Sequence, residues 1–537
     1  MNVGGSRARH AAYLLPLALA ALIGALYFRV QPHWLADPDA QDYAQLGRQL
    51  VMGRGPVTAF MPWNALEFLS GRGADLGAWP NVTRFPLMPA LMALAFGLFG
   101  ANDEAVHLPA LLGYALAACG AGLLGLRVYG AWPGLAAGLA TAMLPMSVNY
   151  SLTGLTEPLL GALIVLLTAC VVRGGPGLAL LGGALLGLAI LTRYDAAALN
   201  LPILALWLLR GEDRPRRVAC FVLAQAVLVL PWSAFLFAQT GSPLFSIQTA
   251  SIATQASGLT AGLGWYEPVY ATIGDSLARD PQAFWRHFVQ EMAATPNNLR
   301  KLVGWPLALA GLAAVALDVV PSTRRRGALL GTYLLLAVAL KMLTVSVVGL
   351  SLTRYFAPFV PLLLVVVAGS ADVLPRCLVG RLRSLSRMPL VLGRAALLLA
   401  LVGPSTHTIA PLLIPPDAPP GPPTRTGEVE ARPEHLARLA ELVPPDALVA
   451  ANVPWSVAWH ADRRAVPLPP SPRRTADLEH RFGLTISAIY VAGQVSIVDA
   501  PPSWREWEAL RRQGTPPPGY VLAESFPNGG RLYLRAP

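Results

Sequence analysis

Pro86-Leu-Met-Pro-Ala-Leu-Met-Ala-Leu-Ala-Phe-Gly-Leu-Phe-Gly100 is a stretch of fifteen residues without a charge, and whether it crosses a membrane decides the fold. As a helix rising ~1.5 Å per residue it reaches about 22 Å, short of a hydrocarbon core of ~30 Å. Around it lie longer apolar runs, Ala11–Phe28, Ala105–Leu126, Gly174–Thr192 and Val218–Ala238, each near the ~20 residues that span a bilayer. The 537-residue chain is 54% hydrophobic and 13% charged, with a mean hydropathy of +0.50, whereas soluble domains carry about 25% charged residues. These values exclude a cytosolic enzyme and make the chain a polytopic α-helical membrane protein.

Charge sets the sidedness. The net charge of +11 comes from arginines clustered between apolar runs, the mark of cytoplasmic loops rather than of a nucleic-acid surface. Arg7, Arg9 and His10 place the N-terminus in the cytoplasm; Arg29 follows the first run with no small-residue cleavage site, which argues against a signal peptide. If Pro86–Gly100 spanned, the clusters Arg210–Arg217, Arg324–Arg326 and Arg376–Arg394 would all fall outside; as an interfacial helix it keeps all three inside. Eleven spans then follow, at 11–28, 105–126, 131–149, 157–173, 176–193, 195–210, 218–238, 302–320, 327–348, 354–371 and 389–410. They form a transmembrane unit over 1–410 with two large outer loops, 29–104 and 239–301. A Pro-rich linker at 411–424 leads to a small extracytoplasmic α/β domain over 425–537. In that tail Pro433–Val443 has helical spacing, while Ala447–Ala451, Thr485–Val491, Tyr520–Glu524 and Arg531–Arg535 read as strands. Cys119, Cys170, Cys220 and Cys377 have neither metal-like nor paired spacing.

The informative residues are charges where a membrane helix should have none. Asp37, Asp39 and Asp42 open a helix on which Tyr43, Leu46 and Leu50 follow at helical spacing; caps account for one or two of these acids but less easily for all three. From Pro158 only fifteen uncharged residues precede Arg173, and only Ala196–Leu209 separates Asp195 from Arg210. Glu157, Arg193 and Asp195 therefore sit sunk below the outer surface, where ionisable groups need each other or a water-filled cavity. Arg193 with Asp195 reads equally as a structural pair. Lys341 reads as snorkelling to the outer surface, with contact to a lipid phosphate as the lesser reading. Arg84 and Arg354 lie outside, against the positive-inside rule, and guanidinium suits phosphate; bulk headgroups are the plainer partner. Trp63, Trp79, Trp265 and Tyr266 read mainly as an interfacial aromatic belt, with sugar stacking as the alternative.

Taken in order, Asp39-Ala-Gln-Asp-Tyr43-Ala, Gly53-Arg-Gly55, Arg84-Phe-Pro-Leu-Met-Pro89, Leu155-Thr-Glu157-Pro158-Leu, Leu191-Thr-Arg193 and Arg354-Tyr355 with Pro358 and Pro361 resemble the GT-C superfamily of integral membrane glycosyltransferases. This is the lineage of protein O-mannosyltransferases and the lipid A aminoarabinose transferase. The resemblance implies that Asp39 is the catalytic base, Glu157 the second carboxylate and Arg84 a contact to the lipid phosphate. Tyr194-Asp195 stands where many relatives have Pro-Glu, and Asp42 is an extra acid beside Tyr43, which leaves the base open between Asp39 and Asp42. Arg193 and Arg354 join Arg84 as donor-phosphate ligands, and Tyr43, Asp195, Lys341 and Tyr355 complete the candidate site.

The implied reaction moves a sugar, hexosyl or pentosyl, from a polyprenyl-phosphate donor to a hydroxyl on a lipid, glycan or protein, with inversion. It is placed at the outer face of a bacterial cytoplasmic (inner) membrane, with no certain cofactor and a divalent cation as a possible one. The runner-up, oligosaccharyltransferase-like glycan transfer, requires a divalent cation held by several acids. A lipid or polysaccharide transporter is the reading from another class; no inverted repeat supports it.

Overall fold

A computed structural model describes residues 3–30, 34–73, 76–210, 214–260, 262, 264–319, 327–348, 352–381, 388–409, 432–493 and 502–537. The linker 411–424, the cluster Arg324–Arg326 and parts of the other two basic clusters lie outside the described residues. Helix α1 (Val3–Val30) leads into a first loop folded as α2 (Pro38–Val51), α3 (Trp63–Ser70) and α4 (Leu87–Phe99). Seven helices follow, α5 (Asp103–Val128), α6 (Ala131–Ala142), α7 (Pro145–Ser151), α8 (Glu157–Arg173), α9 (Pro176–Thr192), α10 (Asn200–Arg210) and α11 (Arg214–Thr240). The second loop carries α12 (Ile247–Ala256) and α13 (Ile273–Arg279) and enters α14 (Pro281–Val319), which bends by 108° at a break around Gly304. Helices α15 (Gly327–Val348), α16 (Val360–Arg381) and α17 (Met388–Ile409) complete the bundle.

Among the described residues five helices are long and apolar enough to cross a membrane, in α1, α5, α11, α15 and Thr353–Asp372. Counting the bent pair α6–α7 and the two arms of α14 as single spans gives seven. Length and composition alone do not reach the expected eleven, because α8, α9, α10 and the apolar part of α17 are shorter. The short helices end at charged residues, Glu157 opening α8 and Arg193 closing α9. Small residues let the helices approach: a Cβ on Gly113 of α5 would come within 2.6 Å of the Leu159 backbone in α8. Gly47 admits α4 onto α2 in the same way, a Cβ there meeting Met92 and the Pro89 carbonyl at 3.0 Å. Helix α4 is 13 residues long and exposes Leu94, Leu98 and Phe99.

The tail contains α18 (Pro433–Leu442), β1 (Leu448–Ala451), α19 (Pro454–His460), β2 (Arg464–Pro467), α20 (Thr475–Phe482), β3 (Ile486–Val491), α21 (Arg505–Gln513), β4 (Tyr520–Ser525) and β5 (Arg531–Arg535). The four expected strands are present; β2 and the helices α19 to α21 were not anticipated. The sheet order is β2-β1-β3-β5-β4, parallel across β2, β1 and β3 and antiparallel through β5 and β4. The tail does not pack alone. Phe60 of the first loop bridges Ala465 of β2 in parallel register, with Ala465 N donating to Ala59 O at 2.7 Å and Met61 N donating to Ala465 O at 3.1 Å.

One apolar core joins Met61, Trp63, Leu66, Trp79 and Val82 of loop one and Phe245, Ile247 and Tyr266 of loop two to Leu448, Val466, Ile489, Trp504 and Trp507 of the tail. This corrects the reading of the aromatics. Trp63, Trp79 and Tyr266 are not belt residues: they are buried, Trp63 stacking on Phe482, Tyr266 meeting Trp504 edge to face, and the Arg464 guanidinium lying 4.0 Å over Trp79. Aromatic side chains of this size supply most of the area such an interface hides from water.

Candidate active site

The N-terminus of α2 accounts for the acidic cluster. Asp37 is the cap, its Oδ1 accepting from Asp39 N at 2.9 Å and Ala40 N at 3.3 Å, with Pro38 at the first helical position. Asp39 and Asp42 are left to interact elsewhere. Arg84 donates through Nε to Asp42 Oδ2 and through Nη2 to Asp39 Oδ1, both at 2.6 Å. Asp39 Oδ2 then pairs with Arg354 Nη2 at 2.7 Å, and Arg354 Nε lies 4.0 Å from Glu157 Oε1. Glu157 Oε1 accepts from Arg193 Nη1 at 3.1 Å; Arg193 Nε is 3.5 Å from Asp195 Oδ1, and Asp195 Oδ2 pairs with Lys341 Nζ.

The result is an unbroken alternation, Asp42–Arg84–Asp39–Arg354–Glu157–Arg193–Asp195–Lys341, of four acids and four bases with no net charge. All the sequence-derived candidates meet here. Charges sunk this far persist only when paired, since leaving one uncompensated costs about 3–5 kcal/mol. Helix ends help: Glu157 lies in the first turn of α8 and Arg193 caps the end of α9, each with the sign that its helix dipole favours.

The chain has an open row and a closed row. Asp39, Arg354, Arg193 and Asp195 keep side-chain exposures of 19–27%, whereas Asp42, Glu157, Arg84 and Lys341 keep 1–6%. Lys341 is thus not snorkelling to a surface; it is buried against Asp195, whose carboxylate offers a closer partner than the interface. Arg84 sits in the closed row, engaged by two carboxylates. Tyr355 underlies the cations, its ring centroid 4.4 Å from Arg193, 5.2 Å from Lys341 Nζ and 5.7 Å from Arg354. Arg84 lies 5.1 Å from the Tyr43 ring and 5.4 Å from that of Trp265, the one outer aromatic of the four that reaches the site. Tyr194, at the departure from the family pattern, stacks on Phe85 at 6.0 Å.

Burial alone would raise the Asp39 pKa, but the Arg84 and Arg354 guanidiniums together hold it well below the usual carboxylate range. A small, mainly apolar cleft lined by Leu160, Ile164, Leu199, Ala337 and Phe359 lies beside Asp195, Lys341 and Tyr355. Among the described residues no three of His, Cys, Asp and Glu converge to hold a metal ion.

Sequence reasoning missed the residues behind α2. Gln45 Nε2 donates to Asp42 Oδ1 at 3.0 Å, and Arg48 donates to the carbonyls of Trp459 and Ala458 at 2.7 and 2.6 Å. The signal was there: Gln41, Gln45 and Arg48 form a second polar stripe at i, i+4 and i+7, and all three are buried.

Residues 82–237 match the family described as dolichyl-phosphate-mannose-protein mannosyltransferase. No curated protein matches the chain. Among solved structures, ArnT from Cupriavidus metallidurans bound to undecaprenyl phosphate shares the fold with a TM-score of 0.56 at 14% identity, covering 97% of each chain. The archaeal oligosaccharyltransferase AglB from Archaeoglobus fulgidus, in complex with an inhibitory peptide and a dolichol-phosphate, gives 0.60 at 14% identity over 98% of this chain and 74% of AglB. The chain is thus similar to the mannosyltransferase family over 156 of its 537 residues and shares the fold of these two solved structures over nearly its whole length.

Proposed function

We propose that the protein transfers a single sugar, hexosyl or pentosyl, from a polyprenyl-phosphate donor to an acceptor hydroxyl, with inversion. The observation that carries this is Asp39, a carboxylate of the open row held between the Arg84 and Arg354 guanidiniums at 2.6 and 2.7 Å. Asp39 takes the proton of the acceptor hydroxyl as its oxygen attacks the anomeric carbon. The bond from that carbon to the phosphate oxygen breaks, and its electron pair leaves with the polyprenyl phosphate. Arg354 and Arg193 hold the developing charge in a poorly hydrated site.

In the resting state Arg354 is bound to Asp39, so donor phosphate competes for the same guanidinium and frees the base as it enters. Asp42 is closed off by Arg84 and Gln45, which favours Asp39 as the base. Arg84 meets the phosphate only by giving up an acid. Glycan transfer by an oligosaccharyltransferase-like route would need a metal site, and the convergent arginines fit phosphate without one.

The reading places eleven spans in a bacterial inner membrane, α4 at the interface, and the site with the tail outside. In a background lacking the four native cysteines, Ser471→Cys should label with an impermeant thiol reagent in intact cells and Arg325→Cys should not. Labelling at position 325 would reverse the topology. The decisive test is Asp39→Asn, expected to cut transfer by about 10²–10⁴ while sparing expression. Envelope lipids and glycans of cells with and without the gene, compared by mass, report the product, and near wild-type product from Asp39→Asn would remove the assignment.

A further inference from the structure

The tail's contact with α2 is more than a docking of two bodies. Helix α2 carries two adjoining stripes: Asp39 and Asp42 face the charge chain, while Gln41, Gln45 and Arg48 face the tail and the loop-one strand joined to it. Arg48 caps the C-terminal end of α19, donating to two of its carbonyls and pairing with Asp462 Oδ1 at 2.7 Å. Ser456 Oγ donates to Gln41 Oε1 at 2.7 Å. Trp459 of the same helix donates to Asp103 Oδ1 at 2.6 Å and stacks on Phe96 of α4 at 5.6 Å.

Gln45 supplies the closest link. Its Oε1 accepts from Ala59 N at 2.9 Å, while its Nε2 donates to Thr58 Oγ1 at 2.8 Å and to Asp42 Oδ1 at 3.0 Å. An amide group offers donors on one side and an acceptor on the other. The Ala59 N–H therefore fixes which side faces Asp42; a flipped amide would set oxygen against oxygen. Ala59 O is in turn held by Ala465 N of β2 at 2.7 Å. A continuous path runs from the tail sheet through Ala59 and Gln45 to Asp42, then through Arg84 to Asp39.

We infer that the tail is a working part of the catalytic centre, with Gln45 and Arg48 as positioning residues that set Asp42, Arg84 and hence Asp39 from the tail side. This rests on the proposed role of Asp39. Misplacing a reacting group by ~1 Å can cost about 100-fold in rate, so a slackened α2 lowers turnover without loosening donor binding at Arg354 and Arg193.

The test uses the full chain in nanodiscs with dolichyl phosphate mannose as the donor probe. Gln45→Met keeps the volume and removes every polar link; it should lower kcat about tenfold with donor KM within about twofold. Arg48→Met should do the same and Arg48→Lys should recover part of the loss, whereas Arg438→Ala, in an exposed tail ion pair, should change nothing. Hydrogen exchange, read on the same samples, should accelerate at the α2 amides in both Met variants and stay unchanged in α5 and α8.

Wild-type kcat together with wild-type exchange in Gln45→Met overturns the inference. A kcat loss matched by an equal rise in KM would mean general loosening and also overturns it. If Asp39→Asn turns over as fast as wild type, the functional reading has failed instead, and the exchange data alone decide whether the tail holds α2. Should Arg48→Met fail to fold, Gln45→Met and Asp462→Ala, the latter at an exposed carboxylate, carry the test.

Discussion

The two halves of the charge chain are built differently. In the half supplied by loop one, Asp42–Arg84–Asp39 and on to Arg354, the links measure 2.6, 2.6 and 2.7 Å. In the half supplied by helix ends, the links from Arg354 through Glu157 and Arg193 to Asp195 measure 4.0, 3.1 and 3.5 Å, and only the closing Asp195–Lys341 pair is tight. Within it Glu157 Oε2 and Arg354 Nε are buried with no hydrogen-bond partner among the described residues. A tight half suits a base whose position must not drift; a loose half with unused valence suits the group that must admit a phosphate. In the proposed reaction the same alternating charges would do two jobs according to how firmly each is held.

Glu157→Gln is the most severe way to break this comparison after loss of Asp39. It strips the common partner from Arg193 and Arg354, and breaking a buried pair costs about 3–5 kcal/mol. Transfer should fall by more than tenfold; wild-type kcat would mean that the loose half is only structural.

Arg354→Ala should act next most strongly, lowering kcat/KM for donor by about tenfold, the worth of a charge-assisted contact. It should also move the pH profile. Arg354 is one of two cations that lower the Asp39 pKa, so its removal raises that pKa. The acid limb of kcat/KM then shifts to higher pH, because the base becomes protonated sooner as pH falls. An unmoved acid limb would separate Asp39 from the titrating base. The smallest change is expected from Trp265→Leu, which removes a cation–π contact worth about 0.5–1 kcal/mol and should raise donor KM a few-fold, measured by donor titration.

The bundle was legible because an apolar run near twenty residues long has one meaning in any context, and the sunk charges were legible because that meaning excludes them. What failed depended on partners far away in sequence. Lys341 looked like a snorkelling lysine because its acceptor, Asp195, belongs to another helix. Trp63 and Trp79 looked like a belt because the residues that bury them lie in the tail. Strand β2, Arg464-Ala-Val-Pro467, is four residues ending in proline and carries no alternation to detect. Gln45 was passed over since an amide next to an acid has no signature until Ala59 is seen to orient it.

The parallel bridge between Phe60 and Ala465 also sets a timetable for biosynthesis. Loop one is translated roughly four hundred residues before its partner strand, and at about 5–20 residues per second it waits some 20–80 s. During that interval Trp63 and Trp79 have no tail to bury them, and the amide of Gln45 has no β2 behind its Ala59 donor. Helix α2 is made near the start of synthesis and gains its tail contacts only near the end, so a ribosome that stalls before β2 releases a chain in which Asp39, the proposed base, lacks its support from the tail.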